Sequence, residues 1–157
     1  VQFGPVQNRM QFEKVRGLIE DARKQGKVLA GGKEHQGKGF FIYPTVIAGL
    51  PDSARLVCEE QFGPVMPVLK FSTIDEAIER ANNSEYGLGA TVWARDINRA
   101  LEVANRLETG TVWINKHLDL PPSVPYGGVK QSGFGVELGQ QGLEEFTQIR
   151  VINMAKA

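Results

Sequence analysis

Cysteine is nearly absent: Cys58 is the single thiol, so no intrachain disulfide can brace the fold. The two histidines, His35 and His117, lie far apart in the chain, which argues against a Cys/His zinc site. Neither sign of charge is in excess, with Lys and Arg totalling 18 against 18 Asp and Glu. Nothing in that balance drives association with nucleic acid or an anionic lipid surface. No apolar run approaches the roughly 20 residues that span a bilayer. The sequence also lacks G-x-x-x-x-G-K-[ST] and G-x-S-x-G, so P-loop and serine-hydrolase chemistry have no motif behind them. What is present is ordinary globular material, 41% hydrophobic and 23% charged over 157 residues, enough to bury a sizeable core. The chain opens on Val1 rather than methionine and residues 1–5 read as mid-chain loop. A segment of a longer protein is expected, and the lack of a signal peptide says nothing about location.

The periodicity is clearest in three helices. Asn8 caps the first, with Gln11 as its capping-box partner, and Phe12, Val15, Ile19 and Ala22 form one buried stripe before Gly26 stops it. Thr73 with Glu76 caps a second, whose stripe is Ile74, Ala77, Ile78 and Ala81. Asp96 caps a third, with Ile97, Ala100, Leu101, Ala104 and Leu107 on its inner face and Gly110 at its end. Between them lie short strand-like runs at 28–30, 65–71, 90–93 and 111–114, the second carrying Pro67. Residues 33–39 read as an exposed loop. Phe40 to Ile47, interrupted by Pro44, suits an edge strand or two short extended pieces. Strand, helix, strand, helix, strand with such short connections is a βαβαβ series. The expected class is α/β, with a mostly parallel, doubly wound sheet. Residues 116–139 are rich in proline and glycine and lack a period, as functional loops do. Leu143 to Phe146 reads as a helical turn or two, and Gln148 to Met154 alternates like a terminal strand.

Candidate chemistry is sparse. The glycines of Gly133-Phe134-Gly135-Val136-Glu137-Leu138-Gly139 miss the dinucleotide fingerprint, because Leu138 stands where glycine is needed and no strand precedes them. Cys58 as a nucleophile needs a base, and the adjacent Glu59 and Glu60 oppose thiolate formation by like-charge repulsion; an ordinary, partly buried cysteine is the better account. Glu59-Glu60 before Gln61-Phe62-Gly63-Pro64 fits two readings. One is a solvated charged turn. The other is a carboxylate fixed on a tight turn beside an exposed aromatic, a pair suited to a sugar hydroxyl and a flat heteroaromatic ring. Spacing alone does not choose between them.

At these residues the chain resembles the aldehyde dehydrogenase superfamily in its C-terminal segment. The resemblance is carried in order by GPVQNRMQFEKV, GFFIYPTV (39–46), CEEQFGPV (58–65), DEAIERANNSEYGLGATVWARD (75–96), GTVWIN (110–115), PYGGVKQSGFGVELG (125–139) and GLEEFTQIRVI (142–152). It implies residues 1–147 as the C-terminal portion of the catalytic domain and 148–157 as an oligomerisation strand and tail. It also implies NAD(P)-dependent oxidation of an aldehyde to a carboxylic acid through a cysteine thiohemiacetal and thioester. The nucleophile and general base then lie upstream of this segment, Cys58 does not match the nucleophile's motif, and the isolated chain is expected to be inactive. By position, Glu60 matches the family carboxylate on the nicotinamide-ribose hydroxyls and Phe62 the aromatic packing beside them. Leu118, Asp119, Leu120 and Tyr126 match the wall of the substrate tunnel. The implied cofactor is NAD or NADP and the implied partners are an aldehyde and further copies of the chain through the terminal strand, with no nucleic acid, membrane or metal. The implied location is the cytoplasm. Two alternatives from other classes are a non-catalytic assembly or regulatory module on the same fold and an independent thiol enzyme built on Cys58.

Overall fold

A computed structural model describes residues 3–33 and 35–156. The elements follow in the order α1 (Arg9–Gln25), β1 (Lys27–Ala30), β2 (Thr45–Ala48), α2 (Arg55–Cys58), β3 (Val65–Val68), α3 (Ile74–Asn82), β4 (Tyr86–Gly87), β5 (Gly89–Val92), α4 (Ile97–Ala104), β6 (Thr111–Ile114), β7 (Val129–Lys130) and α5 (Gly139–Glu144). The chain divides into two compact units, Val1–Ser72 and Thr73–Ala157.

In the first unit, the Asn8 side chain accepts from the Gln11 amide and opens α1 as expected. The stripe of α1 then buries Val15, Leu18, Ile19 and Ala22 against Ile47, Leu50, Ala54, Leu56 and Val65. β1, β2 and β3 form one sheet in that order, with β1–β2 antiparallel and β2–β3 parallel. The short helix α2 makes the parallel crossover. Of the two readings of Phe40–Ile47, the edge strand is excluded, because β2 is central and only Thr45–Ala48 joins the ladder. Pro44 sits just before it, where a missing N–H interrupts no ladder, and the Thr45 amide starts the pairing by donating to the Pro64 carbonyl at 2.9 Å. Thr45 itself is buried with its hydroxyl satisfied: it donates to the Tyr43 carbonyl at 2.8 Å and accepts from the Gly32 amide at 2.9 Å. Pro67 lies on β3, an edge strand, where proline is tolerated.

In the second unit, Thr73 caps α3 by accepting from the Glu76 amide, and Asp96 caps α4 by accepting from the amides of Asn98 and Arg99. The run β5–α4–β6 is a parallel unit with Gly89 opposite Thr111 and Val92 opposite Ile114. A second, antiparallel pair joins β4 to β7. The fold is therefore mixed α/β, but the strands fall into three small sheets rather than one parallel sheet. The α4 stripe is only partly covered. Ala100 is buried, yet Ile97 and Leu101 are 51% and 48% exposed, because two strands are too narrow to cover the whole face.

The alternating run Gln148–Met154 forms no strand. Its side chains stand in solvent, Ile149 almost completely, since an alternating segment needs a second backbone to satisfy its ladder and residues 148–156 find none among the described residues.

Candidate functional site

The glutamate pair 59–60 follows directly on α2, and the structure separates the two. Arg55 lies four residues before Glu59, the spacing that brings side chains together on a helix. It grips that carboxylate with Nε at 2.7 Å and an Nη at 3.3 Å. The hydrogen bond from Arg55 holds the Glu59 carboxyl below its ordinary value; slight burial opposes this, while the charges of Arg55 and Lys14 assist. Glu60 is exposed. Its backbone carbonyl accepts from Lys14 Nζ at 2.8 Å, and among the described residues no side chain occupies its carboxylate.

Phe62 is 73% exposed and sits at φ 45, a left-handed conformation that costs a residue with a Cβ on the order of 1–3 kcal/mol. Three devices hold it there. Gln11, at the start of α1, donates Nε2 to the carbonyls of Gln61 and Phe62. The Gln61 side chain folds back over its own turn: Oε1 accepts from the Gly63 amide at 2.6 Å and Nε2 donates to the Val65 carbonyl at 2.9 Å. Gly63 lies flat on α1, where a Cβ would come within 2.6 Å of a methyl of the fully buried Val15. The turn therefore presents an open carboxylate and a flat apolar face from a braced support. An acceptor beside an apolar ring fits a vicinal diol, whose hydroxyls donate, next to a planar ring.

Sequence reasoning singled out Glu60 and Phe62 but missed what holds their turn. The capping-box spacing claims Gln11 for the helix start, and its backbone does serve the cap, while its side chain goes to the turn. A polar side chain in a helix's first turn can serve either purpose, and only the fold decides.

In the second unit the loop after β6 winds around Trp113, which is 5% exposed. Its indole N–H donates to the Asp119 carbonyl at 2.9 Å, the His117 ring meets it edge-on at 5.7 Å, and the Tyr126 ring lies 6.2 Å away. His117 Nδ1 is 2.8 Å from Thr91 Oγ1 on β5. Asn115 closes the β5–β6 pair by bonding both the amide and the carbonyl of Ala94. Of the four expected wall residues, Trp113 thus brings Asp119 and Tyr126 together. Leu118, at φ 52, and Leu120 remain 61% and 38% exposed. The Asp119 carboxylate is paired with Lys116, so it adds no lone negative charge to the loop. The chain at Tyr126 is fixed by reciprocal backbone bonds with Glu137.

Cys58 is exposed, and its thiol donates to the Asp52 carbonyl at 3.0 Å. Among the described residues no group of three His, Cys, Asp or Glu side chains is placed to hold a metal ion, and no helix is long and apolar enough to cross a membrane.

The pattern of the aldehyde dehydrogenase family matches residues 1–152. Aldehyde dehydrogenase 1A1 of Gallus gallus is 46% identical over 155 residues, which cover 98% of this chain and 30% of that protein. Retinaldehyde dehydrogenase 3 of Homo sapiens is 45% identical over 152 residues, again 30% of its length. Among solved structures, the NAD+ complex of an aldehyde dehydrogenase from Bacillus cereus superposes with a TM-score of 0.90 at 45% identity, covering 94% of this chain and 30% of that one. The chain thus spans about a third of the length of the relatives it matches.

Proposed function

The chain belongs to the aldehyde dehydrogenase family, and from that premise we propose that it forms the C-terminal portion of a longer NAD(P)-dependent enzyme oxidising an aldehyde to a carboxylic acid. The nucleophilic cysteine and general base of that enzyme lie outside these residues. The observation that carries the reading is the braced turn at 60–63, which offers one open carboxylate and one exposed ring side by side. Bound nicotinamide supplies the hydride acceptor. Glu60 accepts from the hydroxyls of its ribose, charge-assisted bonds of about 1.5–3 kcal/mol each when water is excluded. Phe62 lies against the ring and keeps water from its face. The work of both residues is orientation.

Leu118, Asp119, Leu120 and Tyr126 line the approach of the aldehyde, with Trp113 fixing the backbone at Asp119 and packing near the Tyr126 ring. Residues 148–154 add as a strand to the sheet edge of a second copy, which supplies the ladder they lack here. The remaining strands of a doubly wound sheet come from the rest of the longer chain, and they cover the open part of α4. The cytoplasmic setting follows the relatives, among them cytosolic aldehyde dehydrogenase 1 of Rattus norvegicus.

Glu60→Gln in the longer enzyme tests the reading. The amide keeps the shape and one acceptor but loses the charge. The hydride step should slow, seen as a larger deuterium isotope effect with aldehyde-deuterated substrate, while Glu59→Gln, already bound to Arg55, should be close to silent. Equal behaviour of the two variants would defeat the assignment of Glu60.

A further inference from the structure

Gln61 lies between the two residues assigned to the cofactor, and its side chain points away from solvent into its own turn. We propose that Gln61 is a positioning residue that locks Phe62 in its left-handed conformation and so fixes the angle at which the ring meets the nicotinamide. The inference rests on the cofactor reading of Glu60 and Phe62. It is carried by the two opposed bonds of one amide, Oε1 to the Gly63 N–H and Nε2 to the Val65 carbonyl. A carbonyl at one end and an N–H at the other admit a single orientation of the amide, so the clamp has one geometry. Gln11 reinforces it by holding the carbonyls on either side of the Phe62 amide.

A phenylalanine left to itself relaxes out of the left-handed region into extended backbone, which swings its ring through a large arc. The ring is 73% exposed, so its own packing does little to oppose that relaxation. The backbone must be held instead. Val15 lies under Gly63 and limits its tilt towards α1, and the Gln61 amide ties the turn on the other side.

The experiment uses the longer enzyme with Gln61→Leu, which keeps the bulk and loses both bonds, and Gln61→Glu, which keeps the acceptor for the Gly63 amide. In the protein without cofactor, hydrogen exchange of the Gly63 and Val65 amides should rise about tenfold in Gln61→Leu. In Gln61→Glu the Gly63 amide should stay close to wild type. NADH affinity should fall about tenfold in Gln61→Leu, while that for ADP, which lacks the nicotinamide and its ribose, stays within about twofold. Glu60→Gln is measured alongside. If Gln61→Leu leaves exchange at Gly63 and Val65 unchanged, there is no clamp and the proposal falls. If exchange rises but the NADH-to-ADP ratio holds in Gln61→Leu and shifts in Glu60→Gln, positioning falls and the cofactor reading stands. If the ratio holds in both variants, the two fall together.

Discussion

The Arg55–Glu59 pair is an exposed bridge on a helix of four residues, and its contribution to stability is small and conditional on pH. Its sign is fixed by the direction in which the carboxyl is displaced. Glu59 is held below its ordinary value in the folded chain, so the folded state binds its proton less readily than the unfolded state does. The stabilisation is therefore complete above the ordinary, unfolded carboxyl value and disappears as pH falls through the lower, folded one. Urea unfolding of wild type and Glu59→Gln should differ at pH 7 and converge once acid has protonated Glu59 in the folded chain; a difference that persists there would mean the side chain acts through packing rather than charge. The sequence contained the signal for this pair in the Arg55–Glu59 spacing. It could not show that Glu60, with the same charge one position on, would be left open, because that depends on where α1 places Lys14 and Gln11. Gln61 was hidden for the same reason: a glutamine is equally at home in solvent, and both of its bonds are to backbone groups.

The three capped helices α1, α3 and α4 were legible because their caps and stripes are local, whereas α2, a single turn with no side-chain cap, was not. Asn8, Thr73 and Asp96 each bond the amide that their position implies. Strand partners were not, since pairing joins segments whose separation the alternation does not encode; β2 proved central where an edge was one of two readings, and the strands of the expected single sheet pair as three. Two glycines show how differently one residue type can be constrained. A Cβ on Gly110 would run into the Gly127 carbonyl oxygen, backbone against backbone, with no flexible side chain to give way. Gly110→Ala should lower the denaturant midpoint and cost about 3 kcal/mol of unfolding free energy. Gly17, inside α1, has nothing within 4 Å of such a Cβ, and Gly17→Ala should stabilise by about 0.5–1 kcal/mol through helix propensity alone. The same measurement on both variants checks the pair, and equal signs would refute the steric account.

The two units close their cores to different degrees. The first buries nine apolar residues in one cluster, including Val15, Leu18 and Ile47 with no exposed surface. In the second, the buried apolar side chains among the described residues are Ile78, Ala100 and Trp113, while Trp93, Leu143 and Phe146 are mostly exposed. Native-state hydrogen exchange on this 157-residue chain should therefore protect α1 and β2 more strongly than α4 and β6, because local opening follows buried contact; equal protection would show the second unit to be better packed than its exposure indicates. This imbalance was not legible in the sequence, where the stripes of α1 and α4 look alike, since a stripe states what a helix can bury and not what is available to cover it. The first unit's cluster draws only on residues 15–65. A ribosome extrudes chain from its N-terminal side, and domains generally fold as units in that order. Once about residue 72 has cleared the exit tunnel, everything that α1 needs is already outside, so this stretch is equipped to become protease-resistant on the nascent chain before Trp113 has been added to it.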